Sequence, residues 1–107
     1  MKVLIVDDEP LARQRLRRLL AEVSSVSVVG EAGNGDEALR ACRELQPQLV
    51  LLDIRMPGRD GMAVARELAG WEQAPAVVFC TAYDEYAVDA FEANAIGYLL
   101  KPVNRDK

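Results

Sequence analysis

The chain has 107 residues; half are hydrophobic, 28% are charged, and the formal net charge is −4. This length and composition are typical of one folded domain and exclude a disordered chain, and the acidic balance argues against direct binding of a nucleic-acid backbone. Neither histidine nor a Cys-x-x-Cys pair is present, which argues against a zinc site.

The two cysteines and the hydropathy pattern bear on the compartment. Cys42 and Cys80 lie far apart within apolar patterns, which indicates reduced core residues of a cytosolic protein. The sequence contains no recognisable signal peptide and no apolar segment of membrane length. We therefore expect a cytoplasmic domain with no membrane partner.

Five short apolar runs predict five β-strands. The predicted strands cover residues 3–6, 26–30, 49–52, 76–80 and 97–100. The run Leu49-Val50-Leu51-Leu52 has no polar interruption and is followed at once by Asp53 and then by turn residues. Such a run indicates a strand that is buried on both faces of a parallel sheet.

Helical patterns separate these strands. After Pro10, apolar residues recur at helical spacing and predict an amphipathic helix with Asp8 as its cap. The apolar positions are Ala12, Leu16, Leu19, Leu20 and Val23. The arginines on its other faces are interpreted as a solvated surface. Further helices are predicted after the Gly33-Asn34-Gly35 turn, from Asp60 onwards and over residues 83–94.

Strands and helices alternate along the whole chain, with short connections. This order predicts an α/β fold, a doubly wound parallel sheet with helices on both faces. A fifth helix would be expected after Pro102, but only five residues follow it. We therefore expect the fifth helix to be missing or truncated.

The strand ends carry the residues that we interpret as a functional site. They are Asp7, Asp8, Asp53, Thr81 and Lys101. Because the carboxyl ends of parallel strands share one edge of the sheet, these side chains are expected to converge there. Carboxylates that meet in this way repel: a pair roughly 4 Å apart costs about 4 kcal/mol at an effective dielectric constant near 20. Bound protons, or a divalent cation together with a lysine, would relieve the repulsion.

Carboxylate ligands without nitrogen or sulfur suit Mg²⁺, which keeps several waters and accepts a phosphate oxygen of the substrate. We predict Asp8 and Asp53 as direct ligands and Asp7 as a direct or water-bridged ligand. The backbone carbonyl of Arg55 is predicted as a further ligand.

Asp53 is predicted to accept a phosphoryl group, since a carboxylate that is open on one side can form an acyl phosphate. Mg²⁺ and Lys101 would supply positive charge, and Thr81 would donate a hydrogen bond to a phosphoryl oxygen. The new dianion is expected to draw Thr81 inward and to open space for Tyr98. Rotation of Tyr98 would then change the outer surface of the 83–94 helix and the last strand. Plain packing at the sheet edge is the alternative role for Tyr98.

These residues occur in motifs that resemble a known family. The motifs are Val6-Asp7-Asp8-Glu9-Pro10, Leu52-Asp53-Ile54-Arg55-Met56-Pro57-Gly58, Asp60-Gly61, Thr81-Ala82 and Gly97-Tyr98-Leu99-Leu100-Lys101-Pro102. Together they resemble the receiver domain of two-component response regulators over essentially the whole chain. The segment from Thr81 to Ala87, with Ala90-Phe91-Glu92, is similar to the LytTR or AlgR-like subgroup, whose receivers precede a DNA-binding domain.

The resemblance implies a flavodoxin-like (CheY-like) fold with strand order 2-1-3-4-5 and a cis peptide between Lys101 and Pro102. It implies a signalling domain rather than an enzyme, phosphorylated on Asp53 by a sensor histidine kinase or a small phosphodonor. The switched surface would control an output domain and transcription, so any transcriptional role is expected to belong to a longer chain than residues 1–107. Exposed apolar sheet left by a missing fifth helix would favour a homodimer.

Three other functions fit parts of the pattern. A phosphatase of the haloacid dehalogenase type also uses an aspartate nucleophile, but resembles Asp-x-Asp after the first strand rather than adjacent Asp7 and Asp8. In a flavodoxin, the acidic residues after the first strand would repel the flavin phosphate. The third alternative is a receiver-shaped interaction module that is never phosphorylated; the presence of Asp53, Thr81 and Lys101 argues against it.

Overall fold

A computed structural model of the protein describes residues 1–82 and 95–101, and its centre is a five-stranded sheet. The strands are β1 (Lys2–Val6), β2 (Ser27–Ala32), β3 (Leu49–Leu52), β4 (Ala76–Thr81) and β5 (Gly97–Leu100). They lie in the order β2-β1-β3-β4-β5, and all neighbouring pairs are parallel. The predicted α/β class, the parallel sheet and the strand order are confirmed.

Three helices connect the first four strands: α1 (Pro10–Leu20), α2 (Gly35–Leu45) and α3 (Gly61–Ala69). The side chains of Asn34 and Asp60 accept hydrogen bonds from the N–H groups of Glu37 and Ala63 at the starts of α2 and α3. Each cap satisfies an amide that has no partner inside its helix. These two caps set where α2 and α3 begin.

The start of α1 differs from the sequence-based prediction. Pro10 occupies the first helical position as expected, but the N-cap is Glu9, whose side chain makes no capping hydrogen bond. Asp8 lies one residue too early to cap the helix. Its carboxylate therefore belongs to the edge of the sheet. Val23, predicted to continue the apolar face, lies beyond the end of α1 and is exposed.

The core occupies both faces of the sheet because successive strand residues point to opposite sides. On one face, Leu4, Leu52 and Phe79 pack with buried residues of α2 and α3. On the other face, Val3 and Leu51 pack with Leu20 at the end of α1. The central strands β1 and β3 are thus covered on both sides, which places their ends in a fixed position. Cys42 and Cys80 are both free and buried, as expected of core residues.

Some predictions concern residues outside the described ranges. They are the helix over residues 83–94, the missing or truncated fifth helix and the cis peptide at Pro102. Among the described residues, no helix has both the length and the apolar composition that a membrane crossing requires.

Candidate functional site

The carboxyl edge of the sheet brings the predicted residues together. Val6 and Leu52 are register partners at the ends of β1 and β3, and the N–H of Asp53 donates to the carbonyl of Val6 over 2.9 Å. Asp7 and Asp53 therefore leave the sheet at the same level. The N–H of Lys101, which follows β5, donates to the carbonyl of Thr81 at the end of β4 over 2.8 Å. Lys101 therefore lies at the same edge.

Three carboxylates meet at this edge. Asp7, Asp8 and Asp53 each present an oxygen, and these oxygens all lie within 4.8 Å of one another. Asp7 and Asp53 are buried, whereas Asp8 is exposed. The predicted cluster is therefore present, with two acids inside and one at the mouth.

Lys101 places its ammonium between the two buried acids. Its Nζ lies 2.6 Å from Oδ2 of Asp7 and 3.2 Å from Oδ2 of Asp53. The contact with Asp53 is also a hydrogen bond, whereas the closer contact with Asp7 is an ion pair without an aligned hydrogen bond. A single positive charge thus faces two buried negative charges, and it cannot neutralise both.

Backbone amides hold the remaining oxygens of the buried acids. Oδ1 of Asp7 accepts from the N–H of Glu9 over 2.9 Å, and Oδ1 of Asp53 accepts from the N–H of Ile54 over 2.8 Å. Both carboxylates are therefore fixed in orientation, with Oδ2 turned towards Lys101. Such pre-set geometry is what a reaction that depends on alignment requires.

The electrostatics of the site follow from burial and from the unequal charges. Burial, with the neighbouring charge of Asp7, raises the pKa of Asp53 despite the opposing effect of Lys101. Burial also opposes the charge on Lys101, but the adjacent carboxylates of Asp7 and Asp53 outweigh it and raise the pKa of Lys101. Lys101 therefore stays protonated. Its single positive charge leaves part of the negative charge of Asp7 and Asp53 uncompensated.

The residues present fit a divalent cation that prefers oxygen. The donor set consists of carboxylates alone, which suits Mg²⁺. Oδ2 of Asp7 is buried and lies 2.6 Å from the ammonium of Lys101, so a cation would share this oxygen with the lysine. A cavity of about 600 Å³ opens beside the carboxylate cluster, and its lining includes Asp8, Asp53, Arg55 and Lys101. The three carboxylates could hold a metal ion.

Thr81 and Tyr98 lie where the sequence placed them along the strands. Thr81 is fully buried at the last position of β4. Tyr98 is half-buried on β5, where its ring packs against Phe79 with a centroid separation of 6.2 Å. The predicted inward movement of Thr81 and rotation of Tyr98 remain predictions.

Sequence reasoning missed two residues that shape the site. Arg13 was interpreted as part of a solvated surface, but its guanidinium contacts the backbone carbonyl of Asp7 over 2.6 Å. Gly61 brings α3 against β3: its N–H donates to the carbonyl of Ile54 over 2.7 Å, and a Cβ here would overlap the carbonyl oxygen of Asp53. The Asp60-Gly61 pair was visible as a helix start, whereas nothing in the sequence distinguished Arg13 from its neighbouring arginines.

Comparison with known proteins adds independent evidence. The family model of the response regulator receiver domain matches residues 3–107. The chain is 55% identical over 107 residues to the positive alginate biosynthesis regulatory protein of Pseudomonas aeruginosa, a match that covers 99% of this chain and 43% of that relative. It is 49% identical over 104 residues to the transcriptional regulatory protein BtsR of Escherichia coli K12, with 97% of this chain and 43% of that relative covered.

A solved structure shows the same fold. The response regulatory domain of protein mrkE from Klebsiella pneumoniae superposes with a TM-score of 0.90 and 38% sequence identity, covering 97% of this chain and 85% of that one. The predicted resemblance to receivers of the alginate-regulator subgroup is confirmed. The chain spans less than half the length of the curated relatives described above.

Proposed function

We propose, given that this chain belongs to the response regulator receiver domain family, that its Asp53 accepts a phosphoryl group and thereby switches a signalling surface. One observation carries the proposal: a buried, oriented Asp53 carboxylate faces both a lysine and two further carboxylates beside an open cavity. A buried cluster of this kind is costly to stability, so it is expected to serve a function.

The transfer itself needs little covalent chemistry from the protein. An ionised oxygen of Asp53 forms a bond to phosphorus while the bond from phosphorus to the donor's nitrogen or oxygen breaks. The donor group leaves with that electron pair, and Asp53 has no proton to lose because the carboxylate is the reacting form.

Asp7, Asp8, Asp53 and the backbone carbonyl of Arg55 are proposed to hold Mg²⁺. When bound, the ion supplies positive charge to the phosphoryl oxygens. Glu9 and Ile54 hold Oδ1 of the two buried acids, and Oδ2 of each acid faces Lys101, so the ion would share these oxygens with the lysine.

Lys101 and Thr81 are proposed to act on the phosphoryl group. The ammonium of Lys101 already lies 3.2 Å from Oδ2 of Asp53, so it can neutralise an oxygen of an incoming phosphoryl group without a large movement. The hydroxyl of Thr81 is proposed to donate to another phosphoryl oxygen. Thr81 and Lys101 are linked through their backbones, so a shift of one is passed to β5.

The readout is proposed to follow from that link. Movement of Thr81 would open space for Tyr98 to rotate inward, and this rotation would change the surface of β5 and of residues 83–94. That surface is proposed to control an output domain, of LytTR type according to the sequence resemblance. Through it the domain would control transcription, in line with the name of the transcriptional regulatory protein BtsR of Escherichia coli. The proposed partners are a sensor histidine kinase or a small phosphodonor, the output domain and a second copy in a homodimer.

Incubation with acetyl phosphate and Mg²⁺, followed by intact-mass measurement, tests the proposal. We expect a gain of one phosphoryl group that hydroxylamine removes, because hydroxylamine cleaves acyl phosphates. Chelation of the metal with EDTA should prevent the gain, and Asp53→Asn should abolish it.

Asp60→Asn is the matched control, since it makes the same change at an acid that caps α3, and asparagine also caps helices well. This variant should be phosphorylated like the wild type. Labelling that survives Asp53→Asn would refute the assignment of Asp53. Steady turnover of p-nitrophenyl phosphate, instead of a single labelling event, would favour a phosphatase.

A further inference from the structure

We propose that Arg13 is a positioning residue for the divalent cation: it holds the backbone at Asp7 so that the carboxylates of Asp7 and Asp8 face the metal. The inference rests on the proposed function, because it assumes that this pocket takes Mg²⁺. It goes further by assigning a role to a residue outside the acidic cluster.

Two directed contacts define the position of Arg13. Its Nη1 donates to the backbone carbonyl of Asp7 over 2.6 Å, and its Nε donates to Oε1 of Glu31 over 3.0 Å. The side chain of Arg13 is only 20% exposed. Arg17 contacts the other oxygen of Glu31 over 2.7 Å and is more exposed, at 48%. Of the two arginines that contact Glu31, Arg13 is thus the one that also contacts the acidic site.

These contacts tie together three segments around Asp7. Asp7 follows β1, Glu31 belongs to β2, and Arg13 belongs to α1. The N–H of Asp7 donates to the carbonyl of Ala32 over 3.0 Å, while the carbonyl of Asp7 accepts from Arg13. The N–H and the carbonyl of Asp7 are therefore both hydrogen-bonded, and this restricts the direction in which the Asp7 side chain leaves the backbone.

The way in which Arg13 uses its charge supports this role. A guanidinium that contacts the backbone of Asp7 could also pair with the carboxylate of that residue and compete with a metal ion. Instead, its Nη1 bonds a backbone oxygen and its Nε bonds Glu31, which offsets its charge. The oxygens of Asp7 contact Glu9 and Lys101. Arg13 thus orients the acids and leaves their oxygens to other partners.

Positioning and simple charge repulsion predict opposite effects when Arg13 is replaced. Loss of a nearby positive charge alone should strengthen Mg²⁺ binding, because one repulsive charge is gone. Loss of positioning should weaken it, because residues that orient metal ligands typically change affinity by about 10- to 100-fold when mutated. The direction of the change therefore distinguishes the two.

Isothermal titration calorimetry with MgCl₂ on the purified protein provides the test. For Arg13→Gln we expect an affinity about tenfold lower than for the wild type. Arg17→Gln is the matched control: it removes the same charge from the same helix and also loses Glu31, but Arg17 does not contact Asp7 in the described structure. Its affinity should be no lower than that of the wild type. Arg13→Lys should lie between, because one ammonium cannot bridge Asp7 and Glu31 as the fork of Arg13 does.

Several outcomes would overturn the inference. Equal or tighter Mg²⁺ binding by Arg13→Gln would show that charge, not position, is the dominant effect. Equal losses in Arg13→Gln and Arg17→Gln would assign the effect to α1 as a whole. If Arg13→Gln does not fold, Arg13→Lys takes its place, and Mg²⁺ binding equal to that of the wild type in that variant overturns the proposal. A wild-type protein that binds no Mg²⁺ would instead refute the metal site of the proposed function.

Discussion

The two edges of the sheet carry cavities of similar size but very different chemistry. The cavity at the carboxyl edge measures about 600 Å³ and contains Asp53 and Lys101, whereas the one at the amino edge measures about 690 Å³. The amino-edge cavity is lined by Cys42, Arg43, Gln46, Pro47, Gln48, Trp71, Glu72, Gln73, Ala74 and Pro75. Cavity volume therefore does not distinguish the candidate functional site from the other cavity. The buried charges of the carboxyl edge do distinguish it, because buried charges lower stability and are concentrated at functional sites.

Polar groups at the amino edge serve the fold. The side chain of Gln48 accepts from the N–H of Lys2 over 2.8 Å, and the ammonium of Lys2 donates to the carbonyl of Leu45 at the end of α2. The guanidinium of Arg43 lies over the ring of Trp71, 5.3 Å from its centroid. These contacts satisfy backbone groups or cover an aromatic ring. We therefore expect changes at the two edges to differ in kind.

The largest effect is expected for Gly61→Ala, because Gly61 lets α3 pack closely against the backbone that follows β3 at the carboxyl edge. An added Cβ would overlap the carbonyl oxygen of Asp53 and lie 2.8 Å from the Cα of Ile54, so β3 or α3 must move. We expect a loss of about 3 kcal/mol in the free energy of unfolding, measured in urea, together with slower phosphorylation of Asp53. Gly70→Ala is the control, since its Cβ would meet only the carbonyl of Glu67 at 3.6 Å. A Gly61 variant as stable as the Gly70 variant would contradict the tight approach.

Lys101→Met should separate stability from metal binding at the same edge. Without the ammonium, the buried acids Asp7 and Asp53 lose their shared partner, and we expect a loss of about 2 kcal/mol because Lys101 is itself partly exposed. Mg²⁺ should bind about tenfold more tightly to this variant, because a competing charge is gone. Thermal unfolding in EDTA and in MgCl₂ measures both effects. If Mg²⁺ restores no more stability than in the wild type, Lys101 does not share the site of the ion.

Arg43→Gln tests whether the amino edge is independent. Loss of the contact with Trp71 should lower the free energy of unfolding by about 0.5–1 kcal/mol and leave Mg²⁺ affinity and phosphorylation unchanged. Trp71 is the only tryptophan in the chain, so its fluorescence should not respond when Mg²⁺ is added to the wild type. Quenching by Mg²⁺ would show that the two edges are coupled.

The smallest effect is expected when Glu31 on β2 loses its ion pairs with Arg13 and Arg17 on α1. The hydrogen bond from Arg17, aided by Arg13, lowers the pKa of Glu31 below its usual value of 4.5 against the opposing effect of burial. A lowered pKa adds stability above the unfolded-state value, and this stability is lost as the pH falls through the folded-state value. The wild type should therefore exceed Glu31→Gln by a few tenths of a kcal/mol at pH 7, roughly the worth of an exposed ion pair, and by nothing well below pH 4. Urea unfolding across this range measures the difference. A difference that persists in acid, or that 1 M NaCl does not reduce, would contradict an ionic origin.

Much of the fold was accessible from the sequence because its signals are local. The apolar run before Asp53, the turn at Asn34 and the Asp60-Gly61 pair each describe a segment through its own residues, and the structure places β3, α2 and α3 there. The polar residues at the ends of β1, β3, β4 and β5 could also be assigned to one edge, since the carboxyl ends of parallel strands share it. Errors arose where two neighbours compete for one role, as with Asp8 and Glu9 at the start of α1.

The sequence by itself determined which side chains stand at the carboxyl edge, because strand polarity alone carries Asp7, Asp53 and Lys101 there. Only the tertiary structure decided which oxygen each acid turns towards the lysine, and that Arg13 differs from the other arginines of α1. The physical reason is that helical periodicity describes which face a residue occupies, whereas the contact of Arg13 with Asp7 and Glu31 depends on how α1 lies across two strands. That placement is set by packing between distant parts of the chain, and a local pattern does not contain it.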